Sequence, residues 1–183
     1  AELGIKPVTE GWDIKFGVDA DRDRLMVYDK EGKQIRADLF AGVIGADLAH
    51  QKHFFIHLGG GPKIIADLRA SRGVTQYLEQ LKVSLVASKI GHTNIKRVMK
   101  EEKVDFCGEA SGHMMFKELK YTESTQLAIL KLLKIMHTEN KSINELVAPM
   151  DTWSYSGEIN TPIAGWPDSV GPKLTKAKQT YTS

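Results

Sequence analysis

The sequence predicts an α/β fold, a three-layer α/β/α domain with a mainly parallel mixed sheet, preceded by an N-terminal strand, an acidic loop and a hairpin. Three observations predict it. Short β-favouring runs alternate with helical periodicity between residues 37 and 150, polar loops follow the expected strands, and no stretch approaches the ~20 apolar residues of a membrane span. Such alternation requires crossover connections, which cover both faces of a sheet with helices and leave the loops at the carboxyl ends of strands as ligand sites.

The elements follow in order. Ile14 to Val18 and Leu25 to Tyr28 flank a very polar loop, and Asp29-Lys30-Glu31-Gly32-Lys33 supplies a turn into a third short run. From Ala37 to Gln51, Phe40, Val43, Ile44 and Leu48 recur at helical spacing, the mark of an amphipathic helix with Asp38 at its positive end. Residues 53–58 and 63–67 are apolar runs separated by Gly59-Gly60-Gly61-Pro62, and the second is the better strand candidate. Next come a helix near residues 74–81, a strand at 83–87, a helix near 93–102 and a strand at 104–107. Residues 125–137 form the most regular helix, whose broad apolar face, including Leu127, Leu130 and Leu133, is expected in the core. Ser142 with Glu145 three residues on is a capping-box pattern, and Pro149 ends that last short helix. Beyond Thr152 the text reads as a linker or the start of another unit, so a boundary is expected near residue 150. Ala1 in place of an initial methionine and the polar tail are expected marks of a piece of a longer chain.

The 25 basic and 23 acidic residues are interspersed, giving a net charge of +2 and no basic stripe of the kind nucleic acid requires. A lone cysteine, Cys107, excludes an intrachain disulfide and fits a reducing compartment; with no membrane segment, a soluble cytoplasmic protein is expected.

Two segments carry chemistry. Asp19-Ala20-Asp21-Arg22-Asp23-Arg24 places three carboxylates at alternate positions directly after a strand. Two such charges ~5 Å apart repel by roughly 3 kcal/mol at an effective dielectric near 20, so a cation or strong hydrogen bonding is needed. A hard divalent ion such as Mg2+, which accepts a few carboxylates beside water or phosphate oxygens, answers that need; a solvated acidic turn paired with arginines is the other reading. An EF-hand is a poorer reading, because counting from Asp19 puts Arg24 and Lys30 where Gly and Glu belong. Gly108-Glu109-Ala110-Ser111-Gly112-His113 offers a carboxylate, a hydroxyl and an imidazole bracketed by glycines, groups suited to reading sugar hydroxyls. A polar turn with a local Glu–His contact fits it equally. Asp67-Leu68-Arg69-Ala70-Ser71-Arg72 and Lys89-Ile90-Gly91-His92 occupy equivalent positions after strands, although Lys89 and His92 also suit a surface position or a helix start.

In this order, the four segments resemble the phosphoglucomutase/phosphomannomutase (alpha-D-phosphohexomutase) family over roughly residues 10–150. The resemblance implies the end of that family's second domain at residues 1–36, with the metal loop and hairpin, its third domain at 37–150, and a linker and the start of its fourth at 151–183. It implies an enzyme that moves a phosphoryl group between the 1- and 6-positions of a hexose through a phosphoserine and a bisphosphate intermediate. Asp19, Asp21 and Asp23 would bind Mg2+, with Arg24 in the active site. Glu109 and Ser111 would contact sugar hydroxyls, and His92, His113 and Lys89 would line the cleft. Arg69 stands where the family places a basic residue, often lysine, proposed to assist proton transfer; an arginine stays protonated and suits electrostatic stabilisation better. The implied partners are a mannose or glucose phosphate and the remaining domains of a parent chain, with no nucleic acid and no membrane. Ala20 and Arg22 replace glycines usual in the family, and Lys120-Tyr121-Thr122-Glu123-Ser124 replaces a common Asp-Asp-Gly stretch. The family's phosphoserine loop and C-terminal phosphate-binding loop have no counterpart here. The expectation is therefore a piece inactive by itself, with a stand-alone, non-catalytic sugar-phosphate or metal-binding module as the alternative.

Overall fold

The computed structural model describes residues 12–51 and 61–154, so the expected run at 53–58 and the linker from residue 155 lie outside the described residues. The chain opens with an antiparallel meander of β1 (Ile14–Val18), β2 (Leu25–Asp29) and β3 (Gln34–Ile35). Ile14 faces Asp29 and Val18 faces Leu25, so the acidic loop is the connection between β1 and β2. Leu25, Val27 and Ile35 point inward and join the main core.

Helix α1 (Ala37–Gln51) follows at the centre of the molecule. Every residue from Asp38 to Ala46 is buried, so the helix is enclosed rather than amphipathic as expected. Small residues allow this. A methyl group on Gly42 would meet the Met150 sulfur at 2.5 Å, and one on Gly45 would meet Ile64 at 2.9 Å, so neighbouring elements press against the bare backbone.

A five-stranded sheet is then built from β4 (Lys63–Ala66), β5 (Ser84–Leu85), β6 (Phe106–Gly108), β7 (Met114–Phe116) and β8 (Thr122–Glu123), in the order β5-β4-β6-β7-β8. The β5, β4 and β6 strands are parallel, whereas β7 and β8 add antiparallel at one side. Helices α2 (Arg72–Gln80), α3 (His92–Glu101), α4 (Thr125–Glu139) and α5 (Ile143–Val147) are the other α-helices among the described residues. Ile64, Phe106, Met114 and Phe116 face the large core with residues of α1, α2 and α4. Ile65, Cys107 and Met115 face the other way, onto Ile95 and Met99 of α3. Alternate side chains thus serve two cores, which is what a sheet between helical layers requires.

The helix ends obey local chemistry. Ser71 and Ser124 accept from Val74 N and Leu127 N, and the expected capping box at Ser142 and Glu145 is formed. One expectation for α4 is corrected: Ala128, Leu132 and Ile135 are buried, but Leu130 is 64% and Leu133 43% exposed. An apolar arc wider than the face that meets the core leaves its margin in solvent. Among the described residues, no helix is long and apolar enough to cross a membrane.

Candidate functional site

The site is assembled from loops at the carboxyl ends of β1, β4, β5 and β6. In the first, one oxygen each of Asp19, Asp21 and Asp23 lies within 4.8 Å of the others. The loop closes through Arg22 N donating to Asp19 O at 3.2 Å, and Arg22 takes a left-handed φ of 65°. Of the two positions where glycine was missing, it is therefore Arg22 and not Ala20 whose backbone enters the region glycine prefers. Thr125 Oγ1 at the start of α4 donates to Arg22 O at 3.1 Å and anchors the turn to the domain.

Arg24 supplies partial neutralisation: its N donates to Asp19 Oδ1 at 3.2 Å, and its Nε lies 3.5 Å from Asp19 Oδ2 and 3.9 Å from Asp23 Oδ1. Burial pushes the Asp19 carboxyl up, but the Arg24 N–H and charge outweigh it and hold it below its ordinary range. Asp23 Oδ1 is buried without a hydrogen-bond partner, an acceptor that Arg24 neutralises only at a distance, inside an all-oxygen group. That donor set and that orphaned oxygen fit a hard divalent cation.

The loop between β6 and β7 meets the acidic loop directly. His113 Nε2 lies 3.3 Å from Asp23 Oδ2, while His113 Nδ1 is 2.8 Å from Ser111 Oγ and 3.3 Å from Glu109 Oε2. Leu25 N donates to Gly112 O at 3.0 Å, and Gly112, at φ +98°, leaves no room for a side chain against the Leu25 backbone. The two loops are thus fastened by backbone as well as by imidazole.

Asp67 and Arg69 form the next part. Asp67 accepts from Arg69 N at 2.8 Å, Nε at 3.0 Å and Nη2 at 2.7 Å, and from Ala110 N at 2.9 Å. Burial raises the Asp67 pKa, but the Arg69 side chain and the two backbone donors prevail, and the carboxyl is held below its ordinary range. Arg69 is thereby aimed along a cleft of about 580 Å³ that Ser111, Gly112, Arg36 and Gln34 also line, a size common for small-molecule sites. The acidic triad does not line this cleft.

His92, at the start of α3, meets His113 edge to face with ring centroids 5.0 Å apart. Its Nε2 lies 3.0 Å from Glu123 Oε1, and Lys96 Nζ lies 2.9 Å from Glu123 Oε2. Burial raises the Glu123 pKa, but Lys96 and then His92 overcome it and bring the carboxyl down to about 2. Lys89 is exposed and has no ion-pair partner among the described residues. The structure therefore gathers Asp19, Asp21, Asp23, Arg24, Glu109, Ser111, His113 and His92 into one connected group and leaves Lys89 outside it. Sequence reasoning named Asp67 and Glu123 only as members of their segments, without a role, and did not name Lys96. The spacing of His92 and Lys96, four apart on a helix, was the available signal for that lysine.

Comparison with known proteins finds a match of residues 37–153 to a family described as phosphoglucomutase/phosphomannomutase, alpha/beta/alpha domain III. A phosphomannomutase of Methanocaldococcus jannaschii is 37% identical over 142 residues, 78% of this chain and 30% of that protein. A solved phosphoglucomutase/phosphomannomutase family protein from Burkholderia thailandensis superposes with a TM-score of 0.62 at 23% identity, covering 82% of this chain and 30% of that one. The Aspergillus fumigatus N-acetylphosphoglucosamine mutase, in complex with GlcNAc-6P and magnesium, gives a TM-score of 0.58 at 18% identity over 78% of this chain and 34% of that one. The chain thus spans about 30% of the length of the curated relatives it matches.

Proposed function

Since the chain belongs to the phosphoglucomutase/phosphomannomutase family, we propose that it is the metal-binding and sugar-recognising part of a phosphohexomutase, an enzyme interconverting hexose 1-phosphates and 6-phosphates through a phosphoserine. The single observation that carries this reading is the contact of His113 with both Asp23 and the Ser111–Glu109 pair. It joins an oxygen-only cation loop to a loop of sugar-reading groups. The division into residues 1–36, 37–150 and 151–183 belongs to the same proposal.

In this reading Asp19, Asp21 and Asp23 hold Mg2+, as the magnesium of the Aspergillus fumigatus complex supports. When bound, the ion neutralises charge on phosphoryl oxygens. Glu109 accepts from one sugar hydroxyl and Ser111 exchanges a hydrogen bond with another, discriminating hydroxyl patterns because an unmatched buried carboxylate is costly. Arg69, fixed by Asp67 and permanently charged, stabilises negative charge in the cleft rather than accepting a proton. Arg24 holds the Asp19 carboxylate in place through its backbone N–H and its guanidinium. Lys89, exposed and outside that group, is a solvated charge in this reading. The phosphoryl donor lies outside these residues, so the chain by itself performs no turnover.

Calorimetric titration with Mg2+ tests the site. The parent binds, and Asp21→Lys abolishes the heat; equal binding by both refutes the assignment. Assay of the pure chain with glucose 1-phosphate and mannose 1-phosphate tests the division of labour, and sustained turnover overturns it.

A further inference from the structure

A second group of donors stands beside the acidic triad and differs from it in kind. One ring nitrogen each of His92 and His113 and one oxygen of Glu109 lie within 4.8 Å of one another. Glu109 is 5% and His113 7% exposed, so two of the three groups are largely shielded from water. We propose that His92, Glu109 and His113 form a binding site for a borderline-soft divalent metal of the zinc or cobalt class, distinct in its donors from the oxygen-only site of Asp19, Asp21 and Asp23 that His113 touches.

Three features support it. Two imidazoles and a carboxylate are a donor set that zinc-class ions take, with a fourth position left to water, whereas Mg2+ disfavours nitrogen and prefers oxygen. A carboxylate stands behind the ligand ring, as is usual for metal-binding histidines: Glu123 Oε1 lies 3.0 Å from His92 Nε2 and is itself held by Lys96. The local charge also favours a cation, because the carboxylates of Glu109, Glu123 and Asp23 converge on the two imidazoles and outnumber the cations Lys96 and Arg24 that pair with them. Occupancy withdraws Glu109 and His113 from sugar contact, a consequence that rests on the function proposed above; the binding itself does not.

The experiment is a Co2+ titration of the 183-residue chain in excess Mg2+, read by visible absorption and by the paramagnetic shifts of histidine ring protons. The expected result is one saturable equivalent, with shifts at His92 and His113 and none at His50 or His137. Asp21→Asn retains the absorption band, whereas His92→Ala and Glu109→Gln each weaken binding by about 10-fold or more. Absence of saturable binding overturns the proposal, and so does binding lost in Asp21→Asn but intact in His92→Ala. Should a histidine variant fail to fold by circular dichroism, the ring protons of the parent decide: Zn2+ moves the His92 and His113 resonances if the site exists, and leaves them in place if it does not. Loss of Mg2+ binding with retained Co2+ binding would count against the proposed function alone.

Discussion

Substitution of Asp67 by Asn tests how the cleft is held together. The Asp67 side chain is 2% exposed and accepts four hydrogen bonds, three from Arg69 and one from Ala110 N. An amide retains one acceptor oxygen and turns a donor towards the others, so at least two of these bonds are lost. A hydrogen bond to a charged group contributes roughly 1.5–3 kcal/mol. The Arg69 side chain is 47% exposed, so water replaces much of its share, while the Ala110 donor in the partly buried loop has less recourse. The net loss is about 2–3 kcal/mol, which for a domain of this size lowers Tm by about 5–10 °C. The pH dependence has a definite sign. The folded pKa of Asp67 lies below its unfolded value, so its contribution is complete above the unfolded pKa, near 4, and is lost as pH falls through the folded value. Thermal melts by circular dichroism should therefore show a gap between parent and Asp67→Asn that is constant from neutrality to about pH 5 and closes below about pH 4. A Tm unchanged at pH 7, or a gap of the same size at all pH values, would refute the role given to this carboxylate.

Three further outcomes follow from the same geometry. Arg22→Gly relieves a left-handed backbone at φ 65° worth about 1–2 kcal/mol, less about 0.5–1 kcal/mol of added chain entropy, so urea denaturation should show a small net gain in stability. Gly112→Ala drives a Cβ to 2.8 Å from Leu25 O, and urea midpoints should record a loss of about 2 kcal/mol or more, with weakened Mg2+ binding because the two loops are forced apart. Leu132→Ala should cost about 2–5 kcal/mol in chemical denaturation, whereas Leu130→Ala, three-fifths exposed on the same helix, should stay within about 0.5 kcal/mol.

The fold was legible wherever local chemistry decides structure. Ser142 and Glu145 announce a helix start by themselves, and the residues of α4 carry enough periodicity to place it, because both depend on neighbours within one or two turns. The side of the sheet formed by β7 and β8 was not legible. Strands of three and two residues carry too little alternation to register, and they exist because Cys107 pairs with Met115 and Met115 with Glu123. The enclosure of α1 was hidden for a related reason. Periodicity reports which face is most apolar, but the burial of its remaining faces depends on Val74, Ile64 and Met150 arriving from elsewhere.

At the candidate site the same division separates what a loop supplies from what completes it. The gathering of three aspartates at alternate positions is a local property of a tight turn, and it could be inferred before their geometry was known. Asp67 is different: its acceptors are shared between Arg69, two residues away, and Ala110, forty-three residues away. One of its four bonds comes from the loop that follows another strand. Glu123 is a sharper case, since His92 and Lys96 lie four apart on one face of α3 and both reach its carboxylate. The paired donors were readable from that spacing, but nothing local to Glu123 marked it as their acceptor, because β8 exists only through its pairing with β7. Lys89 lies within the loop motif, while Lys96, a turn into the helix, is the lysine that the sheet edge engages. Proximity in the chain favours loop residues, whereas a helix face selects the side chains that meet a distant strand.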